Sequence, residues 1–402
     1  MAMLRATPGK VRAFRAIAHH LHERLPAKEW TEALGVGLQD TPPGSALLAL
    51  AARAEGITPD HWRTERVASR NLVVSWSVRG APFAHLIEDH DRFSVAARPT
   101  GEQAWHTLLG WSRSTPDEVG MAAAEAATGV AAEVELALED GPLTKAELSG
   151  ALSTVLPTKL LPWCRACKVH HVPEQLLRTA GLFGGFVFGE DAGDRFTLVR
   201  TDQWLTLNPS PDEWVWPQPT GRAARRQRLD LLHRYLSAYG PADAAMFASW
   251  LGVSVSEGAH RLAEAESAGH LVPVAADGDE RSRGWVHVED EEDFRAVRPA
   301  DVRGVRLVPP GDPFLQQRDR GTLIADRARQ KEVWTALGGP GVVVIDGGAA
   351  GTWRARKKGA TLTLTVKPFE RLRPRDVRGI ETEAEVVAAA RGTDLAGVAV
   401  AG

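Results

Sequence analysis

Cysteine, tyrosine and methionine are scarce in this chain of 402 residues, which has two, two and four of them. Two cysteines cannot cross-link a chain of this length, so a disulfide-stabilised secreted scaffold is excluded. The sequence also lacks any uninterrupted apolar run of eighteen residues, and its N-terminal stretch carries arginines and histidines where a secretory signal needs apolar residues. We therefore expect a cytoplasmic protein with no membrane association.

An excess of positive charge is lacking too. The chain has 48 Lys and Arg against 51 Asp and Glu, a net charge of −3, so the whole molecule does not attract a polyanion. Any nucleic-acid role must then depend on local basic patches. The 44% of hydrophobic and 25% of charged residues are typical of globular proteins, and the length is enough for several domains.

The pattern of residues 225–287 predicts three helices followed by two strands around a polar loop, which is the order of a winged helix. Gly252 is the expected turn glycine between the second and third helices. The expected core positions are Leu229, Leu232, Leu236, Phe247, Leu251 and Leu262. Residues 143–207 show a similar order of helices and strands. The third helix of the later module, SVSEGAHRLAEAESAG, is too acidic to read DNA bases, so we expect this module to have a packing or scaffolding role.

The last hundred residues differ, because VVVIDGGAAGTWRARKKGATLTLTVKPF reads as short antiparallel strands joined by DGG and KKG turns. We therefore predict an α+β fold of tandem winged-helix modules with a C-terminal antiparallel β-rich element. The expected domains are 1–140, 141–215, 220–300 and 301–402. In the last of these, Asp312 and Asp319 are expected to form an ion-pair network with Arg318 and Arg320.

Five segments in one order carry a resemblance to a known family. They are GVGLQDTPPGSALLAL at 35–50, WSVRG at 76–80, YLSAYGPADAAMFASWLGV at 235–253, PPGDPFLQQRDR at 309–320 and GTWR at 351–354. Together they resemble the tandem winged-helix DNA-binding proteins that include the bacterial DNA glycosylases AlkZ and YcaQ. The resemblance implies double-stranded DNA as the partner and the release of bulky alkylated purines as the reaction.

The resemblance places the catalytic loop at residues 37–39, where the glycosylases carry two polar residues around an apolar one. This chain has Gly37, Leu38 and Gln39, so only the second polar side chain is kept. An N7-alkylated purine is a cationic leaving group that needs little acid assistance, so Gln39 alone can orient the attacking water. The alternative for Gln39 is a solvent-facing loop residue.

Asp40 follows directly and is a candidate to stabilise positive charge on the sugar or to take a proton from the water. An aspartate before a proline-rich break also commonly caps a helix or turn, and the sequence leaves both roles open.

Candidate DNA contacts fall in three places. Arg79 and Gly80 end the predicted strand 71–79, where the family has a similar pair near DNA, and a surface arginine at a strand end is the alternative for Arg79. Two basic stretches suit contacts to the phosphate backbone, GRAARRQR and WRARKKG. Their candidate residues are Arg222, Arg225, Arg354, Arg356, Lys357 and Lys358. Trp353 is an alternative lining residue for a DNA channel.

Both cysteines lie in WCRACKVHH, which gives Cys164, Cys167 and then His171. This spacing suits a structural zinc ion, although no fourth ligand is evident nearby. A buried thiol pair and a cytosolic redox pair are the alternatives. The glycosylase chemistry itself requires no cofactor.

The leading hypothesis is a monomeric monofunctional DNA glycosylase that acts on N7-alkylated purines and crosslinks. Gly37 favours the main alternative, a non-catalytic winged-helix regulator or lesion sensor. A third possibility, a scaffold whose wings bind protein, is favoured by the near-neutral charge.

Overall fold

Helices and strands are mixed along the chain in the computed structural model, which describes residues 3–110, 120–193, 195–205, 221–276, 279–335 and 338–401. The chain divides into two compact units. Unit 1 comprises Met1–Arg63, Leu232–Phe247 and Ala263–Gly402, and unit 2 comprises Thr64–Leu231 and Ala248–Leu262. No helix in the described part of the chain is both long and apolar enough to span a bilayer.

Unit 1 contains two sheets. In the smaller sheet, Leu4–Ala6 pairs in parallel with Leu271–Ala276, which pairs antiparallel with Asp279–His287. The larger sheet has five strands in the order Val305–Val308, Gly341–Ile345, Gly348–Lys358, Thr361–Pro368 and Asp394–Val400. Its first three pairings are antiparallel and the last is parallel. The expectation of a purely antiparallel C-terminal element is therefore wrong at this edge, because helix Pro374–Ala390 crosses over before the final strand.

The helices that lie within unit 1 are Pro8–Ala18, Ser45–Ala51, Pro59–Arg63, Glu291–Ala296, Arg320–Leu323, Arg327–Val333 and Pro374–Ala390. Four of them, which contain Phe14, Phe294, Leu323 and Val333, contribute to one core. The first begins where the sequence indicates, with Pro8 in its first turn and the Thr7 hydroxyl accepting the Lys10 amide. Its Val11 and Phe14 lie in the core with strand residues such as Val342.

Unit 2 is mainly helical. Its helices are His90–Phe93, Glu102–Leu109, Ala123–Ala137, Lys145–Val155, Glu174–Ala180 and Thr201–Trp204. Strands Leu72–Trp76 and Pro82–Leu86 form a hairpin, so the predicted strand 71–79 ends early and Val78–Gly80 is a 3-10 turn. Strand Thr197–Arg200 lies between Leu143–Thr144 and Phe186–Phe188, and Trp163–Cys164 pairs with Val169–His170.

Residues 221–287 have the predicted order of elements. Helices Gly221–Tyr239, Ala244–Leu251 and Val255–Ser267 precede strands Leu271–Ala276 and Asp279–His287. Gly252 has a φ of +84°, which only glycine adopts readily, as the expected turn requires. Five of the six expected core residues are buried, and Leu229 is half-buried. The only arginine of the third helix, Arg261, is buried and pairs with Glu257 at 2.9 Å, so its side chain packs within unit 2.

Candidate active site and DNA-contact residues

Gln39 lies half-buried in a two-residue strand, Leu38–Gln39, that follows the 3-10 helix Ala27–Leu34. Its Oε1 accepts a hydrogen bond from Nε2 of Gln316 at 3.2 Å. The same Nε2 donates to the Gly311 carbonyl at 3.0 Å. Two glutamine amides that are far apart in sequence therefore meet in unit 1.

Close backbone packing brings these amides together. Gly311 has a φ of +75°, and a Cβ at this position would lie 2.6 Å from the Thr41 carbonyl oxygen. Only glycine satisfies both conditions. Segment 309–317 thus lies directly against the loop that carries Gln39.

A buried ion pair anchors the same two segments. Arg53 and Asp312 are 1% and 0% exposed and form a bidentate pair with distances of 2.7 and 2.8 Å. Arg53 also donates to the Ala49 carbonyl, and the Asp312 carboxylate accepts the Phe314 amide. Each partner has a second hydrogen bond, which is the condition for tolerating charge in a dry interior. The pair fixes segment 309–317 to helix Ser45–Ala51, which begins just after the Gln39 loop.

Asp40 caps this helix, because its carboxylate accepts the backbone amide of Ala46 at 3.0 Å. The capping alternative raised by the sequence is thus present in the structure. The other role, in which the carboxylate stabilises charge on the sugar or takes a proton from water, stays a prediction. Gly37 is buried with a φ of +67°, a conformation that a glutamine there would adopt only at a cost.

Arg79 and Gly80 contact other parts of unit 2. Arg79 also has a positive φ, of 61°, and its half-buried guanidinium donates to the Trp250 carbonyl. A Cβ at Gly80 would lie 2.9 Å from Nε2 of Gln175, so the glycine allows helix Glu174–Ala180 to approach. These contacts give both residues structural roles, and their contact with DNA stays a prediction.

The candidate DNA-contact residues on helix Gly221–Tyr239 and on strand Gly348–Lys358 are exposed. Arg222 and Arg225 lie three residues apart on helix Gly221–Tyr239, hence on one face. On strand Gly348–Lys358, the alternating residues Arg354, Arg356 and Lys358 pair with threonines of the next strand, which are exposed as well. Lys357 pairs with the buried Leu362 and so lies on the other face of the sheet. On the basis of the sequence alone, all four basic residues had been placed in one set.

Cys164, Cys167 and His171 lie together in unit 2, with their ligand atoms all within 4.8 Å of one another. Nδ1 of His171 donates to the Val172 carbonyl at 2.7 Å, so Nε2 is left as the lone-pair atom. This Nε2 is buried and has no hydrogen-bond partner among the described residues. A hydrogen bond from the Cys167 backbone amide is the largest cause that lowers the pKa of the Cys164 thiol to about 7. Two thiols and one imidazole are ligands that zinc prefers.

The ion pairs near residue 319 differ from those expected. Asp312 pairs with Arg53, and Asp319 pairs with Arg15 at 2.8 Å, whereas Arg318 is exposed and Arg320 stacks on Trp334. The predicted partners are wrong because the aspartates bind arginines of the N-terminal helical region. Trp353 is 2% exposed and donates to the Val308 carbonyl, so it is a core residue and not a lining residue.

The sequence reasoning missed Gln316, Arg53 and Arg15. Gln316 lay within PPGDPFLQQRDR, but local sequence gives no sign that its amide meets Gln39, 277 positions away. The burial of Arg53 could not be predicted either, because the sequence before it indicates only an apolar helix. These residues were recognised only from tertiary contacts.

A family model described as "DNA glycosylase AlkZ-like" matches residues 32–390. Among solved structures, the Streptomyces sahachiroi DNA glycosylase AlkZ is similar, with a TM-score of 0.73 and 21% identity over 99% of this chain and 100% of that chain. At this identity the likeness concerns the fold. No curated protein sequence matches.

Proposed function

Because the chain belongs to the AlkZ-like DNA glycosylase family, we propose that it is a monofunctional glycosylase of double-stranded DNA. Its substrates are bulky N7-alkylated purines, including crosslinks that excision unhooks. The observation that carries this proposal is Gln39, a polar side chain held in the family's catalytic loop by the hydrogen bond from Gln316.

In the proposed reaction the bond between the sugar C1′ and the base N9 breaks, and the electron pair leaves with the base. An N7-alkylated guanine carries a positive charge, so it departs as a neutral molecule without being protonated. Water adds its oxygen to C1′ and releases one proton to solvent. Gln39 orients this water, and the Asp40 carboxylate stabilises the positive charge that develops on the sugar.

DNA binding is proposed for the exposed basic residues of each unit. In unit 2 these are Arg222 and Arg225, and Arg79 with Gly80 completes the set. In unit 1 they are Arg354, Arg356, Lys357 and Lys358. The helix and strand order of residues 221–287 supports a winged-helix module, and the same architecture is proposed for 1–140 and 141–215. We propose that the protein acts as a monomer.

We also propose that Cys164, Cys167 and His171 hold a structural zinc ion, which the hydrolysis itself does not require. The unpartnered Nε2 of His171 supports this proposal. Metal analysis of the purified protein should give one zinc per chain, and Cys167→Ser should lower that content at least tenfold. Equal zinc in wild type and variant, or no zinc in either, would refute the site.

The second candidate is a DNA-binding regulator or lesion sensor without catalysis. Gly37 favours it, because the position has no side chain and a φ of +67°. The Asp40 cap favours it too, because it gives that carboxylate a structural role.

Incubation with duplexes that carry an N7-alkylguanine, as monoadduct or crosslink, separates the two candidates. We expect wild type and the exposed-surface control Gln103→Ala to form abasic sites, and Gln39→Ala to lose this activity. Binding to the lesion duplex without any abasic sites from wild type would instead support the regulator.

A further inference from the structure

An exposed hairpin of unit 2 is not accounted for by the proposed active site. Its strands are Trp163–Cys164 and Val169–His170, and residues 163–170 are called the knuckle hairpin below. Trp163 is 55% exposed and Val169 is 50% exposed. No other aromatic residue of the described chain is among its exposed large hydrophobic residues. Tryptophan is enriched at binding interfaces, where its ring offers a large apolar contact surface.

The segment that carries the knuckle hairpin has side-chain charges of one sign. From residue 148 to residue 173 the sequence contains no Asp or Glu. Lys159, Arg165 and Lys168 lie in this segment and are all exposed. Glu174 lies near Cys167 and pairs with Lys145 and Arg178. An aromatic side chain beside exposed cations is a combination that binds nucleic acid, because phosphates attract the cations and bases stack on the ring.

Backbone hydrogen bonds hold the knuckle hairpin in a defined shape. The Lys168 amide donates to the Cys164 carbonyl at 2.8 Å and closes the turn, where Lys168 has a φ of +56°. Nδ1 of His170 donates to the Leu161 carbonyl at 2.8 Å, and Leu161 is buried. The ring of His170 packs edge-on against Trp163 with centroids 5.2 Å apart. The tryptophan and the two turn cations are therefore presented in fixed positions, and less entropy is lost when a ligand binds.

We propose that the knuckle hairpin is an additional contact for double-stranded DNA. Arg165 and Lys168 bind backbone phosphates, and Trp163 packs in the groove or wedges against a base step. The proposal rests on the DNA binding proposed above but not on catalysis. A membrane surface fits less well, because the exposed apolar area of the hairpin consists of Trp163 and Val169 alone, without a continuous apolar face.

The test is the affinity of the full-length protein for a fluorescent undamaged duplex between 50 and 200 mM salt. Loss of two phosphate contacts should make the slope of log K against log salt shallower by about 1.8 in Arg165→Ala/Lys168→Ala. Trp163→Ala should bind about tenfold more weakly at constant salt, and Trp163→Phe should recover most of the loss. The matched control is Lys28→Ala/Arg63→Ala, whose cations already pair with Glu29 and Asp60, so its slope should equal that of wild type.

Slopes and affinities within twofold of wild type in all the hairpin variants would overturn the proposal, provided that circular dichroism shows them folded. Trp163-dependent binding to anionic phospholipid vesicles, with DNA binding unchanged, would overturn it in favour of a membrane contact. Failure of the glycosylase proposal is distinguishable, because wild type would then form no abasic sites while the hairpin variants still lost affinity.

Discussion

At the scale of single residues, the candidate site depends on side chains that position others. Gln39 is held by Gln316, and both are held by the buried pair of Arg53 and Asp312. Such a pair contributes little net stability when intact, but removing one partner leaves a buried charge uncompensated. The site therefore depends on residues that are not proposed to touch the substrate.

Asp312→Ala should destabilise the protein by about 3–5 kcal/mol, because Arg53 would lose its carboxylate partner in a dry interior. Urea unfolding measures this change. The control is Asp60→Ala, which removes the partner of an exposed Arg63 and should cost less than about 1 kcal/mol. Similar costs for the two variants would show that the buried pair does not anchor segment 309–317.

Gly37→Ala should cost about 1–2 kcal/mol, because the residue has a φ of +67°. Gly129 lies exposed inside helix Ala123–Ala137 with open space around it, so Gly129→Ala should instead stabilise by roughly 0.5–1 kcal/mol. Urea midpoints that move in the same direction for both variants would contradict the left-handed conformation of Gly37.

At the scale of elements, the order of helices and strands in residues 221–287 followed from the sequence, because apolar spacing and the glycine turn are local signals. The ends of elements were less predictable. Strand Leu72–Trp76 stops before the β-branched Val78, since Arg79 adopts a positive φ. The parallel strand Asp394–Val400 was missed, because strand direction depends on which edge of the sheet a crossover helix reaches.

The candidate site was predictable only in part, because local sequence patterns do not encode tertiary contacts. The family motif located Gln39 and Asp40, and cysteine spacing located Cys164, Cys167 and His171. The contacts of Gln316 and Arg53 connect positions that are hundreds of residues apart, and no local pattern encodes them.

The cap of helix Ser45–Ala51 separates two roles of Asp40. Asp40→Asn keeps an oxygen that can accept the Ala46 amide, so its unfolding free energy should stay within about 0.5 kcal/mol of wild type. Its excision rate should fall at least tenfold, because the negative charge near the sugar is lost. Asp40→Ala loses the cap as well and should cost about 1 kcal/mol. An unchanged rate in Asp40→Asn would assign the residue to capping alone.

At the scale of the whole molecule, buried neutral histidines make stability depend on pH. Burial, with a smaller contribution from His90, lowers the pKa of His85 to about 3. Burial is also the main cause that lowers the pKa of His20 and of His287 to about 4. In the unfolded chain these histidines titrate near pH 6.5.

Above about pH 7 these histidines should therefore add no pH dependence to the free energy of unfolding. This free energy should fall as the pH drops from 6.5 towards 4. In this range the unfolded chain binds protons that the folded protein does not. Urea unfolding at several pH values measures the trend. The slope of unfolding free energy against pH gives the number of protons taken up on unfolding, and His85→Asn should lower this number by up to one. A stability that stays flat or rises between pH 6.5 and 5 would contradict the neutral, buried state of these side chains.

The measurement that tests the central claim most directly is the single-turnover rate of base excision from an N7-alkylguanine duplex, with protein in excess. We predict that Gln39→Ala lowers this rate at least 100-fold while its affinity for the duplex stays within threefold of wild type. Equal excision rates in Gln39→Ala and wild type would show that Gln39 does not orient the attacking water, and the proposed active site would then be wrong.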